Sequence, residues 1–188
     1  MSSSARLDIL LDGDGVDRVV TRLAAELSER FGDGVVMIGV LRGSVPFLAD
    51  LVRAMSIATT VDFVALSPYR PGTGRVRLVM DASINVEDRD VVIVEDIVDT
   101  GLTSAFLLGE LRRRSPRSVS LCTLVDRPAR RVVPVEIDHV GLEIEDRFVI
   151  GYGLDFEGRY RNVRVLAAAD LDVLRHDPDA YVEALYGA

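Results

Sequence analysis

Hydrophobic positions along this chain follow two different periods. Val16, Val19, Val20, Leu23, Leu27 and Phe31 recur at the spacing of one helix face. Candidate caps Asp14 and Asp17 precede them, and Gly32 and Gly34 follow as stop signals. Val35–Val40 is then an unbroken apolar run, predicted to be the first buried strand, with a helix over Val45–Met55 after it. Thr59–Leu66 reads as a second strand, the Pro- and Gly-rich Ser67–Gly74 as a mobile flap, and Arg75–Asp81 as an alternating strand. Val91–Val94 and Val119–Val125 are further buried strands, with a helix from about Leu102 to Arg114 between them. The rest predicts a strand in Val135–Leu142, a short one at Phe148–Ile150, a late one at Val163–Ala167, and a last helix capped by Asp177-Pro178 and ending at Tyr186. Strands alternating with helices argue for an α/β fold with an open, mostly parallel sheet and ligands in the crevice at the strand ends.

Composition narrows the function classes. The 188 residues fit one domain, and the net charge of −8 argues against a nucleic-acid or anionic-membrane partner. No apolar run approaches the roughly twenty residues of a membrane span, and Met1–Arg6 has no signal-peptide core, so a cytoplasmic protein is expected. Cys122, the only cysteine, lies in an apolar run and reads as a buried structural thiol. Lysine is absent, so every basic side chain other than histidine is arginine. His139 and His176 match no metal-ligand spacing, and there is no Gly-x4-Gly-Lys-Ser/Thr loop of nucleotide hydrolases.

The chemistry concentrates in Val91–Thr103. A buried strand runs into Glu95 and Asp96, whose carboxylates are acceptors suited to the vicinal hydroxyls of a ribose. Asp99, Thr100, Gly101, Leu102 and Thr103 follow, small and hydroxyl-bearing residues that let amides and hydroxyls converge on an anion at a helix start. A bare Glu-Asp pair would read as a solvated turn; the whole run reads as a sugar-phosphate loop. Arg42-Gly43-Ser44, after another buried strand, offers amides and a guanidinium to a second anion, although such a turn is commonplace by itself.

The run from Val91 to Thr103 resembles the phosphoribosyl pyrophosphate signature of the purine phosphoribosyltransferases. From about residue 35 to 167 the motifs follow the order of the hypoxanthine-guanine, or 6-oxopurine, phosphoribosyltransferases, leaving 168–188 as an extension of unassigned role. The resemblance implies the type I phosphoribosyltransferase fold, with a small hood over the strand ends. It implies transfer of a 5-phosphoribosyl group from 5-phosphoribosyl 1-pyrophosphate to a purine base, with Mg2+ as cofactor and a homodimer or homotetramer as assembly. Residue by residue, Glu95, Asp96 and Asp99–Thr103 match the ribose-phosphate site, with Asp99 as catalytic acid/base. Arg42, Gly43 and Arg161 match the pyrophosphate site, where family members often have a non-proline cis peptide. Arg127, Phe148, Val149 and Asp155 match the purine site: Phe148 stacks on the base and Val149 meets its edge through the backbone. Glu95, Asp96 and Asp155 match metal-binding positions, and Ser67 and Tyr69 match the lid.

Four departures stand out. Arg127 replaces a lysine that donates to the purine exocyclic oxygen, and arginine is longer, planar and forked. Pro68 interrupts the usual Ser-Ser-Tyr, Met80-Asp81-Ala82-Ser83 stands for Lys-Asp-Leu-Asp, and Glu145 for the proline of Ile-Pro-Asp. Two other readings stay open here: a sensor of the phosphoribosyl donor without turnover, and a phosphoribosyltransferase for xanthine or a pyrimidine.

Overall fold

The structure, a computed structural model, describes residues 7–67 and 76–187. Tyr69, Pro68 and the flap beyond Ser67 lie outside the described residues. Strand β1 (Asp8–Leu11) leads into helix α1 (Gly13–Arg30), followed by β2 (Val35–Leu41), α2 (Ser44–Ala54), β3 (Thr59–Leu66), β4 (Leu78–Met80) and β5 (Asp90–Val98). Then come α3 (Leu102–Arg112), β6 (Ser118–Asp126), a single 3-10 turn at Pro128–Arg130, β7 (His139–Glu143), β8 (Phe148–Ile150), β9 (Leu166–Ala169), α4 (Leu171–His176) and α5 (Val182–Tyr186).

The main sheet has six strands in the order β4-β3-β2-β5-β6-β7, parallel except for β4. Period-two alternation in the central strands feeds two cores. Val35, Met37, Val92 and Val94 pack with Leu23, Leu27, Phe47 and Leu51 of α1 and α2. Val36, Ile38, Val91 and Ile93 turn the other way, onto Leu107, Leu108 and Leu111 of α3. Helices on both faces explain why these strands are apolar without a break. A second, antiparallel sheet, β1-β9-β8, forms the hood. It shares Val149, Tyr152, Leu154, Leu166 and Ala168 with the α1/α2 core. Residues after β9 also pack: Leu174 and Tyr181 are buried against Ile150 and Tyr160, and the Tyr160 hydroxyl donates to the Pro178 carbonyl at 2.7 Å.

Several expected boundaries shift. The cap of α1 is Asp12, whose Oδ1 accepts from the Gly15 amide at 2.7 Å; Asp14 and Asp17 lie inside the helix. Strand β5 does not end at Val94. Its ladder with β6 carries Glu95, Ile97 and Val98 onto Thr123, Val125 and Asp126, because backbone pairing is indifferent to the acidic side chains. Strand β4 is confined to Leu78–Met80. Strand β7 starts only at His139, because the Leu121 amide beside its expected first part donates to the Asp138 carboxylate at 2.9 Å. Strand β9 starts at Leu166, since the Val163 carbonyl serves a turn, accepting from the Tyr152 amide at 3.0 Å. Asp177-Pro178 does not open the last helix: Asp177 closes α4, its amide donating to the Val173 carbonyl at 2.8 Å, the N-terminal cap of α4 is Asp170, and Tyr181 stands at the start of α5.

Candidate active site

Strands β2, β5 and β6 all end on the same side of the sheet, and the helices after β2 and β5 begin there. Leu41–Arg42 is a cis peptide, as the resemblance implies, and Gly43 stands at the start of α2. Arg42 is exposed; its carbonyl accepts from the Val45 amide at 3.3 Å, while its guanidinium has no hydrogen-bond or ion-pair partner among the described residues. Gly101 heads α3 with φ of 82° and offers no side-chain cap, so the first-turn amides of α3 are left for another acceptor. A Cβ at Gly101 would lie 2.5 Å from the Val133 carbonyl oxygen. Thr100 Oγ1 accepts weakly from the Leu102 amide at 3.4 Å.

The acidic pair does not converge on one spot. Adjacent residues of a strand face opposite sides, and Glu95 and Asp96 obey that rule. Glu95 turns toward α3, buried, and its Oε1 accepts from Ser104 Oγ at 2.6 Å. Asp96 turns toward α2, so close to Gly43 that a Cβ there would meet Asp96 Oδ2 at 1.5 Å. Burial pushes the Glu95 carboxyl up to about 8, with the neighbouring Asp96 charge adding to it and the Ser104 bond opposing. Burial pushes Asp96 up to about 6, against the pull of its backbone hydrogen bonds and Arg161 and helped by Asp155.

A consequence for stability follows. An unfolded Glu95 ionises near 4.5 and the folded one near 8, so between those values the native state keeps a proton that the unfolded chain releases. Stability of the ligand-free protein is therefore expected to fall as pH rises through that window. Glu95→Gln removes the titration, and its melting temperature against pH is expected to be flatter between about pH 5 and 8 than the parent's. Parallel curves for the two proteins would contradict the assignment.

The corner expected to receive pyrophosphate is assembled from three segments. Arg161 Nη2 pairs with Asp155 Oδ1 at 2.6 Å, and its Nη1 donates to the Gly153 carbonyl at 2.6 Å. Gly153, at φ of 100°, sits so near Gly43 that an added Cβ would be 1.9 Å from the Gly43 carbonyl oxygen. Tyr152, one residue earlier, donates its hydroxyl to Asp50 Oδ2 of α2 at 2.6 Å. The hood turn and the start of α2 are thereby joined.

Of the three expected metal residues, the structure brings Asp96 and Asp155 to this corner and leaves Glu95 on the far side of β5. Among the described residues no three His, Cys, Asp or Glu side chains form a metal cluster. Two carboxylates facing a phosphate site still fit Mg2+, which binds through one or two carboxylates with substrate phosphates and water completing its shell.

On the other flank Asp99 reaches away from the loop to Arg127. Arg127 Nε and Nη2 donate to Asp99 Oδ1 and Oδ2 at 3.1 and 2.7 Å, and Nη1 donates to the Arg147 carbonyl at 2.5 Å. Arg127 is only 6% exposed, so it is no solvated loop residue. A guanidinium has five N–H donors, and these contacts leave one on each terminal nitrogen. Phe148 is half-buried, with the Phe156 ring packed edge-on at 6.0 Å. The Val149 side chain is buried in the core, which leaves only its backbone for a ligand; β8 is an edge strand, so part of its backbone has no ladder partner. Ser67 is described only at the root of the flap, where its amide donates to the Arg77 carbonyl at 2.9 Å. Sequence reasoning missed Ser104, Tyr152 and Arg131 as supports of this site; the only signal for Ser104 was its place one turn into α3.

Comparison with known proteins agrees with this geometry. Residues 7–157 match the family model of the phosphoribosyl transferase domain. The chain is 39% identical over 159 residues to the hypoxanthine-guanine phosphoribosyltransferase of Bacillus subtilis (strain 168), covering 82% of this chain and 88% of that protein. A crystal structure of a hypoxanthine-guanine phosphoribosyltransferase from Bacillus anthracis superposes with a TM-score of 0.84 at 36% identity, covering 88% of this chain and 99% of the other. Hypoxanthine phosphoribosyltransferase from Trypanosoma cruzi, solved as a point mutant with the product IMP, gives 0.85 at 32% identity, covering 94% and 96%. With both sheets, the donor loop and the hood accounted for, the chain belongs to the phosphoribosyl transferase domain family and, within it, to the 6-oxopurine phosphoribosyltransferases, which are enzymes.

Proposed function

We propose that the protein transfers the 5-phosphoribosyl group of 5-phosphoribosyl 1-pyrophosphate to a 6-oxopurine, hypoxanthine or guanine, giving IMP or GMP and pyrophosphate in purine salvage. The observation that carries this reading is Asp99: its backbone lies in the loop before α3, while its carboxylate turns aside to accept two hydrogen bonds from Arg127.

The α3 amides with Thr100 and Thr103 hold the 5-phosphate, aided by the positive end of the helix, an effect of about 0.3–2 kcal/mol. Asp96 takes the ribose hydroxyls from the α2 side of β5, while Glu95 stays turned toward Ser104 of α3. Arg161 and the Arg42-Gly43 turn receive the pyrophosphate. Phe148 and the Val149 backbone hold the base plane and edge, and the spare donors of Arg127 reach its exocyclic oxygen. Purine N9 forms the bond to the sugar carbon as the carbon–oxygen bond to pyrophosphate breaks, its electron pair leaving with the pyrophosphate. Asp99 accepts the proton from the purine N7. Mg2+, held by Asp96 and Asp155 together with donor oxygens, would offset the charge on the departing group. Ser67 and Tyr69 belong to the lid that keeps water from the electron-poor carbon.

No helix among the described residues is long and apolar enough to cross a membrane, and we place the enzyme in the cytoplasm. A homodimer or homotetramer is the assembly the resemblance implies; exposed Val61, Val79 and Met80 at the β3/β4 edge give it a surface. The direct test is incubation with donor, Mg2+ and a panel of bases. Nucleotide is expected from hypoxanthine or guanine, while turnover only with xanthine or a pyrimidine would reject the base assignment. Arg127 makes xanthine the informative competitor, since its fork differs from the lysine of relatives.

A further inference from the structure

Three consecutive carbonyls of the donor loop, those of Val98, Asp99 and Thr100, are all taken by one neighbouring segment. Arg131 Nε donates to the Asp99 carbonyl at 3.0 Å, and its Nη2 reaches the Val98 carbonyl at 3.5 Å. The amides of Val132 and Val133 take the Thr100 carbonyl, and the Arg127 amide donates to Val98 at 3.0 Å. The guanidinium is aimed by an ion pair with Asp126, and the Arg131 amide is fixed on the Pro128 carbonyl at 3.0 Å. Its side chain is 17% exposed, so this charge lies under the loop.

In a trans peptide unit the C=O and the following N–H point in opposite directions, and Leu41–Arg42 is the only cis bond among the described residues. Carbonyls of 98, 99 and 100 drawn toward Arg131–Val133 therefore turn the amides of Asp99, Thr100 and Gly101 the other way, toward the phosphate cradle. Left unheld, any of these peptides that flips puts a carbonyl oxygen against the anion.

We propose that Arg131 is a positioning residue of the phosphate cradle: by gripping the outward carbonyls of Val98 and Asp99 it presets the loop amides for the phosphate of the phosphoribosyl donor. This rests on the reading that Asp99–Thr103 holds that phosphate. Arg131 touches no reacting atom, and its effect is confined to one half of the donor.

The test uses the full chain and two probes, ribose 5-phosphate for the cradle and inorganic pyrophosphate with Mg2+ for the Arg161 corner, measured by calorimetry beside steady-state kinetics. In Arg131→Ala, ribose 5-phosphate binding and the donor KM are expected to worsen about tenfold or more, as for loss of a charge-assisted hydrogen bond. Pyrophosphate affinity and kcat at saturating donor are expected to stay within about threefold. Arg131→Lys, which keeps the charge without the fork, is expected to recover part of the loss. Asp126→Asn, which frees the guanidinium, is expected to show a weaker version of the same split and serves if the alanine variant fails to fold. Unchanged ribose 5-phosphate binding, or equal weakening of both probes, overturns the proposal. Failure of the parent to bind ribose 5-phosphate would instead reject the cradle itself.

Discussion

Asp99→Ala is expected to lower kcat by about 10²–10⁴-fold while the dissociation constant for the phosphoribosyl donor stays near the parent value. The residue's backbone belongs to the loop proposed to hold the phosphate, but its carboxylate accepts from Arg127, away from that loop. Truncation thus removes the proton acceptor and leaves the amides in place. It also strips the buried Arg127 of two hydrogen bonds, at a stability cost of about 1–3 kcal/mol. Asp99→Asn separates the two effects, because the amide oxygen still accepts one of the two guanidinium bonds but takes no proton at neutral pH. Both variants should lose turnover, with the asparagine protein melting nearer the parent. Parent-level turnover in Asp99→Asn would remove Asp99 from the chemistry; donor binding lost as fully as turnover would make it a structural residue.

The second large effect belongs to Gly153. An alanine there must hold φ near 100° and place its Cβ 1.9 Å from the Gly43 carbonyl oxygen. The left-handed backbone costs roughly 1–2 kcal/mol and overpacking about 1–3 kcal/mol more. Relief requires the Gly43 loop, which abuts Asp96 of β5, to separate from the hood turn, which carries Asp155 paired with Arg161. Gly153→Ala is therefore expected to lose roughly 2–5 kcal/mol of stability and its pyrophosphate affinity together. Gly109→Ala is the control. It lies within α3 with nothing inside 4 Å of the added Cβ, and alanine is favoured there by about 0.5–1 kcal/mol. A Gly153→Ala protein as stable and as tight for pyrophosphate as its parent would break the claim that the two loops lock together.

Much of this architecture was legible in the chain because the central strands are buried on both faces. Val35–Val40 and Val119–Val125 betray themselves by apolar continuity, and their strands fall within a residue or so of those runs. Strand β1 and helix α4 escaped because four and six residues carry too little periodicity; tertiary pairing with β9 and burial of Leu174 define them. The strand expected over Val135–Leu142 starts only at His139, because the Leu121 amide that would pair with its first part makes no ladder bond there and donates instead to the Asp138 carboxylate at 2.9 Å. The site was legible as motifs but not as sides. Alternation within β5 alone implies that Glu95 and Asp96 part company, yet only the positions of Ser104 and Gly43 show what each faces. Arg131 was hidden in a basic run, since nothing local distinguishes a solvated arginine from one threaded under a loop.

The pairing of β1 with β9 has a consequence for how the molecule is made. Asp8 lies opposite Ala168, so the strand synthesised first waits for one of the last to emerge from the ribosome. The sheet that carries the loops after β2 and β5 is complete in sequence by β7, whereas the wall bearing Phe148 and Val149 is stitched only when β9 arrives. Nascent chains halted between those points hold the loops after β2 and β5 without that wall, and early in the interval also without Asp155 and Arg161, while β1 has to stay unpaired without finding a neighbour's edge.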